Sequence, residues 1–126
     1  MLERIIPMEK ENDALVFSEQ YISSAGQMYM LMSGRYRMVA DIRSELDIFQ
    51  KSKGKMLPLC AHPYDLCTSI IAEELGCLIV NFQGNQLDYP LDLDTNCCWF
   101  GFANSDIKNL VWSVLVEEID AINARL

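Results

Sequence analysis

Asp65 follows His62, Pro63 and Tyr64 where the pattern reads as the opening of a helix spanning His62 to Leu75. A carboxylate in a first helical turn complements the helix dipole. Held there by the backbone, it is also the residue type that a hard, oxygen-seeking cation takes as a ligand. Asp41 closes an apolar segment and is followed by Arg43. A strand-end carboxylate there either lies in solvent or has a role, and Arg43 either pairs with it or meets an anion such as phosphate. Ser23 and Ser24 precede a helical stretch. They either cap it or offer hydroxyls and helix N-terminal amides to a ligand. Asp88, Asp92 and Asp94 form an acidic cluster. It lacks the loop glycine and terminal glutamate of a calcium-binding loop, so a solvated loop is the expectation.

Nucleophilic chemistry has less to work with. There is one histidine, His62, and no evident Ser–His or Cys–His pairing. The five cysteines, Cys60, Cys67, Cys77, Cys97 and Cys98, are odd in number and contain no CxxC pair. That pattern is neither a zinc site nor a secreted disulfide framework. Reduced, mostly buried thiols are expected. In the vicinal pair Cys97–Cys98, one side chain should face inward and the other outward or toward a second layer.

The elements that must position these residues alternate along the chain. Ala14 to Ser18 reads as a short strand and Ser23 to Ser33 as a helix stopped by Gly34. Met28, Met30, Leu31 and Met32, with Tyr29, suggest burial on most sides of that helix. Tyr36 to Ile42 reads as a strand, and the charged stretch from Ser44 to Leu59, with its lysines around Gly54, as a surface loop. Leu66, Ile70, Ile71 and Leu75 then lie on one face of the His62–Leu75 helix, which Gly76 ends. Cys77 to Phe82 is an apolar strand, QGNQ a turn, and the segment from Leu87 to Asn96 a loop or irregular edge. Cys97 to Ala103 is a second buried strand. Ser105 caps a last helix carrying Ile107, Leu110, Val111, Val114, Leu115, Ile119 and Ile122 at helical spacing. The alternation predicts a layered α/β/α domain with a central mixed sheet covered on both faces.

The 126 residues suit a single domain, 1–126, with residues 1–13 peripheral. Apolar residues make up 51% of the chain, enough for a core without disulfide or metal staples. A net charge of −8 excludes a nucleic-acid partner, because no basic stripe exists to meet phosphates. It also means that phosphate handling would need a cation as intermediary. No apolar run reaches membrane-span length, and the start, MLERIIPMEKEND, is too charged for a signal peptide. No membrane partner and a soluble, cytoplasmic protein are therefore expected.

The segment HPYDLCTSIIAEELGCLIVNFQGNQLD resembles the C-terminal signature of the inositol monophosphatase superfamily. Tyr64–Asp65 fills its aromatic–Asp position, where tryptophan is commoner. Ala72–Glu73–Glu74–Leu75–Gly76 fills its helix end, and the run Phe82 to Asp88 fills its turn. Phe102–Ala103–Asn104–Ser105 is similar to the terminal strand and Ala–Asn pair, and Ser23–Ser24–Ala25 to an upstream Gly-Ser/Thr-Ala-Ala helix. The likeness spans roughly residues 14 to 124. The family's metal-binding glutamate and Asp-Pro-Ile/Leu-Asp-Gly-Thr motif, carried by an N-terminal lobe, are not in this sequence, and the stretch between Asp41 and Asp65 is longer than in simple members.

The resemblance implies the C-terminal lobe of a magnesium-dependent phosphate monoesterase acting on a sugar or inositol phosphate. Asp65 would be a metal ligand, and Asp41, Ser23 and Ser24 would contact substrate. Metal ions would activate water and clamp the phosphate, so no nucleophilic side chain is required. One carboxylate does not bind magnesium usefully, so the lobe is expected to be inactive alone. Its partner would be the N-terminal lobe or a second subunit. The alternative is a non-catalytic interaction or oligomerisation module that covers an apolar inter-lobe surface by self-association.

Overall fold

The computed structural model describes residues 22–51, 53–54 and 59–125. The expected strand at Ala14–Ser18 lies outside them. Helix α1 spans Ser24–Met32 and begins where Ser23 Oγ accepts the Gly26 amide at 3.1 Å. It ends in a Schellman motif, with the Gly34 amide donating to Leu31 O and the Arg35 amide to Met30 O, each at 3.0 Å. Gly34 takes φ +74, the left-handed conformation that glycine adopts most readily. Met28 and Leu31 are buried, whereas Tyr29 is exposed, so α1 buries a face rather than most of its surface.

Strand β1 (Met38–Asp41) follows, and then helix α2 (Arg43–Lys51) stands where a loop was expected. The reason is legible in hindsight. Ile42, Leu46 and Phe49 recur at spacings of four and three, and Glu45 and Lys51 sit at the ends that suit the dipole. The charge density of the segment masked that period.

The helix expected over His62–Leu75 is broken. A 3₁₀ turn covers Pro63–Leu66 and a separate helix, α3, covers Ser69–Glu74. The break at Cys67–Thr68 rotates the second piece. Leu66 and Ala72 therefore face the core, while Ile70, Ile71 and Leu75 are exposed at 64%, 53% and 66%. A uniform helical period across the break put all four apolar residues on one face, which the geometry contradicts.

Strand β2 (Leu78–Val80) leads into a turn in which Asn81 Oδ1 accepts the amides of Gln83 and Asn85, each at 3.0 Å. Strand β3 (Trp99–Phe102) is wholly buried and lies between β1 and β2. Both pairings are antiparallel, with Asp41 opposite Trp99 and Val80 opposite Phe100. The fold is thus mixed α and β, but its sheet among the described residues is antiparallel rather than mixed. Helix α4 (Ser105–Asn123) closes the chain. Its cap is Asn104, whose Oδ1 accepts the Ile107 amide at 2.9 Å, and not the expected Ser105.

Strand alternation divides the apolar residues. Val39, Ile79 and Trp99 pack with Met28, Leu31, Leu66 and Ala72. Val80, Phe100 and Phe102 pack with Val111 and Leu115 of α4. Trp112 meets Phe100 edge-on at 5.8 Å. Gly101 lets α1 approach the sheet, since a Cβ there would stand 2.5 Å from Leu31 Cδ1.

Candidate functional site

The site is assembled by one strand end and one bridge. Asp41 ends β1 opposite Trp99. Two residues before Trp99, Cys97 forms an isolated antiparallel bridge with Ala61, its amide donating to Ala61 O at 2.7 Å. That bridge draws the segment entering the 3₁₀ turn toward the start of β3. Asp65, four residues beyond Ala61, is thereby brought into the electrostatic range of Asp41's partner, Arg43.

Asp41 is only 6% exposed, so the expected solvated carboxylate is not what the fold contains. Arg43 holds both its oxygens. Nε donates to Oδ1 at 2.8 Å and Nη2 to Oδ2 at 2.6 Å, and the Arg43 amide adds a 3.3 Å contact to Oδ1. This fork-on-fork arrangement is the strong form of the pair. Of the two roles open to Arg43, pairing with Asp41 is the one adopted. The hydrogen bonds that Arg43 donates to Asp41 raise its pKa above the ordinary value, with burial opposing and the charges of Asp41, Cys60 and Asp65 assisting.

Asp65 is the third residue of the 3₁₀ turn. Its Oδ2 accepts the His62 amide at 2.9 Å and lies 3.8 Å from His62 Nδ1. Pro63 starts the turn where a missing N–H costs nothing. The Tyr64 ring lies parallel to the His62 imidazole at 5.4 Å. Asp65 is therefore a capping residue whatever else it does. Ser23 likewise spends its hydroxyl oxygen on the N-cap of α1, and Ser24 is buried behind it. No hydrogen bond among the described residues joins either serine to Asp41 or Asp65.

The cysteines border this cluster. Cys97 and Cys98 are both buried and pack in the two different core clusters, the second-layer arrangement expected for the vicinal pair. Burial pushes the Cys97 thiol up to about 11, with the negative charges of Asp92, Asp65 and Asp41 adding to the shift. Burial pushes Cys98 higher still. Burial thus disfavours the thiolate, the nucleophilic form, at both positions. None of the five cysteines, all among the described residues, is in a disulfide, and Cys67 is exposed.

Tyr89 is a residue that sequence reasoning missed. Its hydroxyl donates to Cys98 O at 2.8 Å and accepts the Cys98 amide at 3.0 Å, standing in for a neighbouring strand. Burial raises its pKa. Its place in an irregular loop hid this role; a large aromatic between acidic residues was the only available hint. In the same loop Asp92 accepts the Asp94 amide at 3.0 Å, and the Thr95 amide and hydroxyl at 2.7 and 2.6 Å. The Thr95 hydroxyl, then the two amides, lower its pKa.

A magnesium ion does not fit these residues on their own. Both Asp41 oxygens are held by Arg43. One Asp65 oxygen is engaged by His62. No group of three or more His, Cys, Asp or Glu among the described residues is placed to hold a metal. No helix among them is long and apolar enough to cross a membrane. No family model, curated protein or solved structure matches the chain.

Proposed function

We propose that this chain is the C-terminal lobe of a metal-dependent phosphate monoesterase of the inositol monophosphatase type, acting on a sugar or inositol phosphate. On this reading its helices and sheet form the layered α/β/α half of a two-lobed enzyme. The observation that carries the proposal is the aromatic–Asp turn itself, whose Asp65 lies within electrostatic reach of Arg43, the residue that holds Asp41 at the end of β1. Asp65 would supply one ligand to magnesium, with the remainder coming from an N-terminal lobe or a second subunit. When bound, the ions would activate water and offset charge on the phosphate. Within this chain, Arg43 fixes Asp41 so that it can accept a substrate hydroxyl only along lone pairs the guanidinium leaves free. Ser23 and Ser24 would line the substrate side through α1. The lobe alone would be inactive, because its own oxygen ligands are too few.

Phosphate release from a panel of sugar and inositol phosphates, assayed with magnesium, is the direct test. The chain alone should release none. Joined to the N-terminal lobe of an inositol monophosphatase it should become active, and Asp65→Asn should abolish that activity. An assembled protein that stays inert across the panel overturns the reading.

A second reading is favoured by one observation. Tyr29 of α1 and Ile70, Ile71 and Leu75 in and just after α3 are exposed on helices that pack against each other. Exposed apolar groups on adjoining elements suit a non-catalytic interaction or oligomerisation module.

A further inference from the structure

An open surface pocket of about 460 Å³ lies between the 3₁₀ turn and the irregular loop that follows β2. That size falls within the range of small-molecule sites, which span roughly 300–1,000 Å³. Its walls are aromatic and aliphatic: Tyr64, Leu87, Tyr89, Leu91 and Leu93, with Asp92 as the one carboxylate. Leu91 is fully exposed at 100% and Leu93 at 74%, which leaves large apolar side chains in water beside a concave surface.

Tyr64, Tyr89 and Asp92 are held in place, while Leu91 and Leu93 stand exposed beside them. Tyr64 is backed by the parallel His62 ring, with its hydroxyl 3.4 Å from His62 Nδ1. Tyr89 is tied to both the amide and the carbonyl of Cys98. Asp92 is fixed by its three contacts to Asp94 and Thr95. Two of those contacts fall on Oδ1 and one on Oδ2, so Oδ2 keeps acceptor capacity for a ligand. A flat ring would rest against Tyr64 and the leucines, and a cationic donor on it would reach Asp92.

We propose that this pocket binds a small aromatic amine, its ring held by Tyr64, Leu91 and Leu93 and its ammonium by Asp92. The inference stands apart from the phosphatase reading, since it needs neither metal nor a second lobe. The test is a ¹H–¹⁵N NMR titration of the full chain with tryptamine, indole-3-acetate and n-butylamine as probes. Tryptamine should give saturable shifts concentrated at Tyr64, Leu91, Asp92 and Leu93. Indole-3-acetate (same ring, opposite charge) and butylamine (same charge, no ring) should each bind about tenfold or more weaker, as expected for loss of a charge-assisted contact or of ring burial. Asp92→Asn should erase the preference for tryptamine over indole-3-acetate. Leu91→Ser, at a fully exposed position where folding is not at stake, should weaken both indoles. Absent shifts, shifts spread over other surfaces, or equal binding of tryptamine and butylamine would overturn the proposal.

Discussion

Arg43 and Asp41 show how little a residue's type says about its state. A carboxylate at the end of a four-residue strand usually meets water. Here Asp41 is buried and its charge is met by a neighbour two residues on. Arg43→Ala should therefore strand a buried carboxylate. The loss should be about 2 kcal/mol in urea denaturation, less than for a fully buried pair because Arg43 itself is 46% exposed. An unchanged urea midpoint would show that Asp41 escapes to solvent. The raised thiols make a second prediction. A group whose pKa is raised by folding contributes stability below its unfolded value and loses it as pH climbs through the folded one. For Cys97 the window runs from the ordinary value of 9.0 to about 11. Cys77, Cys98 and Tyr89 shift in the same direction. Stability under reducing conditions should therefore fall between pH 9 and 10.5, with Cys97 contributing up to about 1.4 kcal/mol per pH unit inside its window. Urea midpoints at those two pH values check the slope, and Cys97→Ala should make it shallower without abolishing it.

Among the elements, those with a clear start or stop were the most legible. Ser23, Gly34 and Gly76 mark boundaries by local chemistry, and those boundaries fall close to where they were expected, even though the segment before Gly76 is broken. The last helix was found, but its cap was assigned one residue late, because Asn and Ser at adjacent positions are equivalent until φ and ψ are known. Asn104→Ala should cost about 1 kcal/mol in thermal or urea unfolding, whereas Ser105→Ala should cost little. The turn after β2 offers a sharper test. Gly84 has φ +84 and its missing Cβ makes room for the Trp112 ring. Gly84→Ala combines backbone strain with a clash and should destabilise by about 2 kcal/mol. Quenching or shifting of Trp112 fluorescence would report the clash directly.

For the molecule as a whole, the outstanding feature is apolar surface that its own fold leaves uncovered. Tyr29, Ile70, Ile71 and Leu75 are exposed on adjoining helices. If that surface joins a second copy, light scattering at high concentration should report a dimer, and Ile70→Lys with Leu75→Lys should return it to a monomer. A wild-type monomer under the same conditions would leave the oligomerisation module without support. The net charge of −8 works against self-association, so the dimer should strengthen with added salt.

The sequence by itself determined the first and last helices, the approximate places of the three strands, and the separation of Cys97 from Cys98 into two packed clusters. These depend on capping groups, glycine conformations and periods of two or near 3.6, all local in the chain. It did not determine the break at Cys67–Thr68, the burial of Asp41 or the place of Tyr89. Each of these depends on a contact between distant segments. Thr68 meets Met28 Sδ at 3.2 Å, Asp41 faces Trp99, and Tyr89 grips Cys98. Only tertiary packing decides which polar groups lose water, and that loss is what turns a surface carboxylate into a paired one.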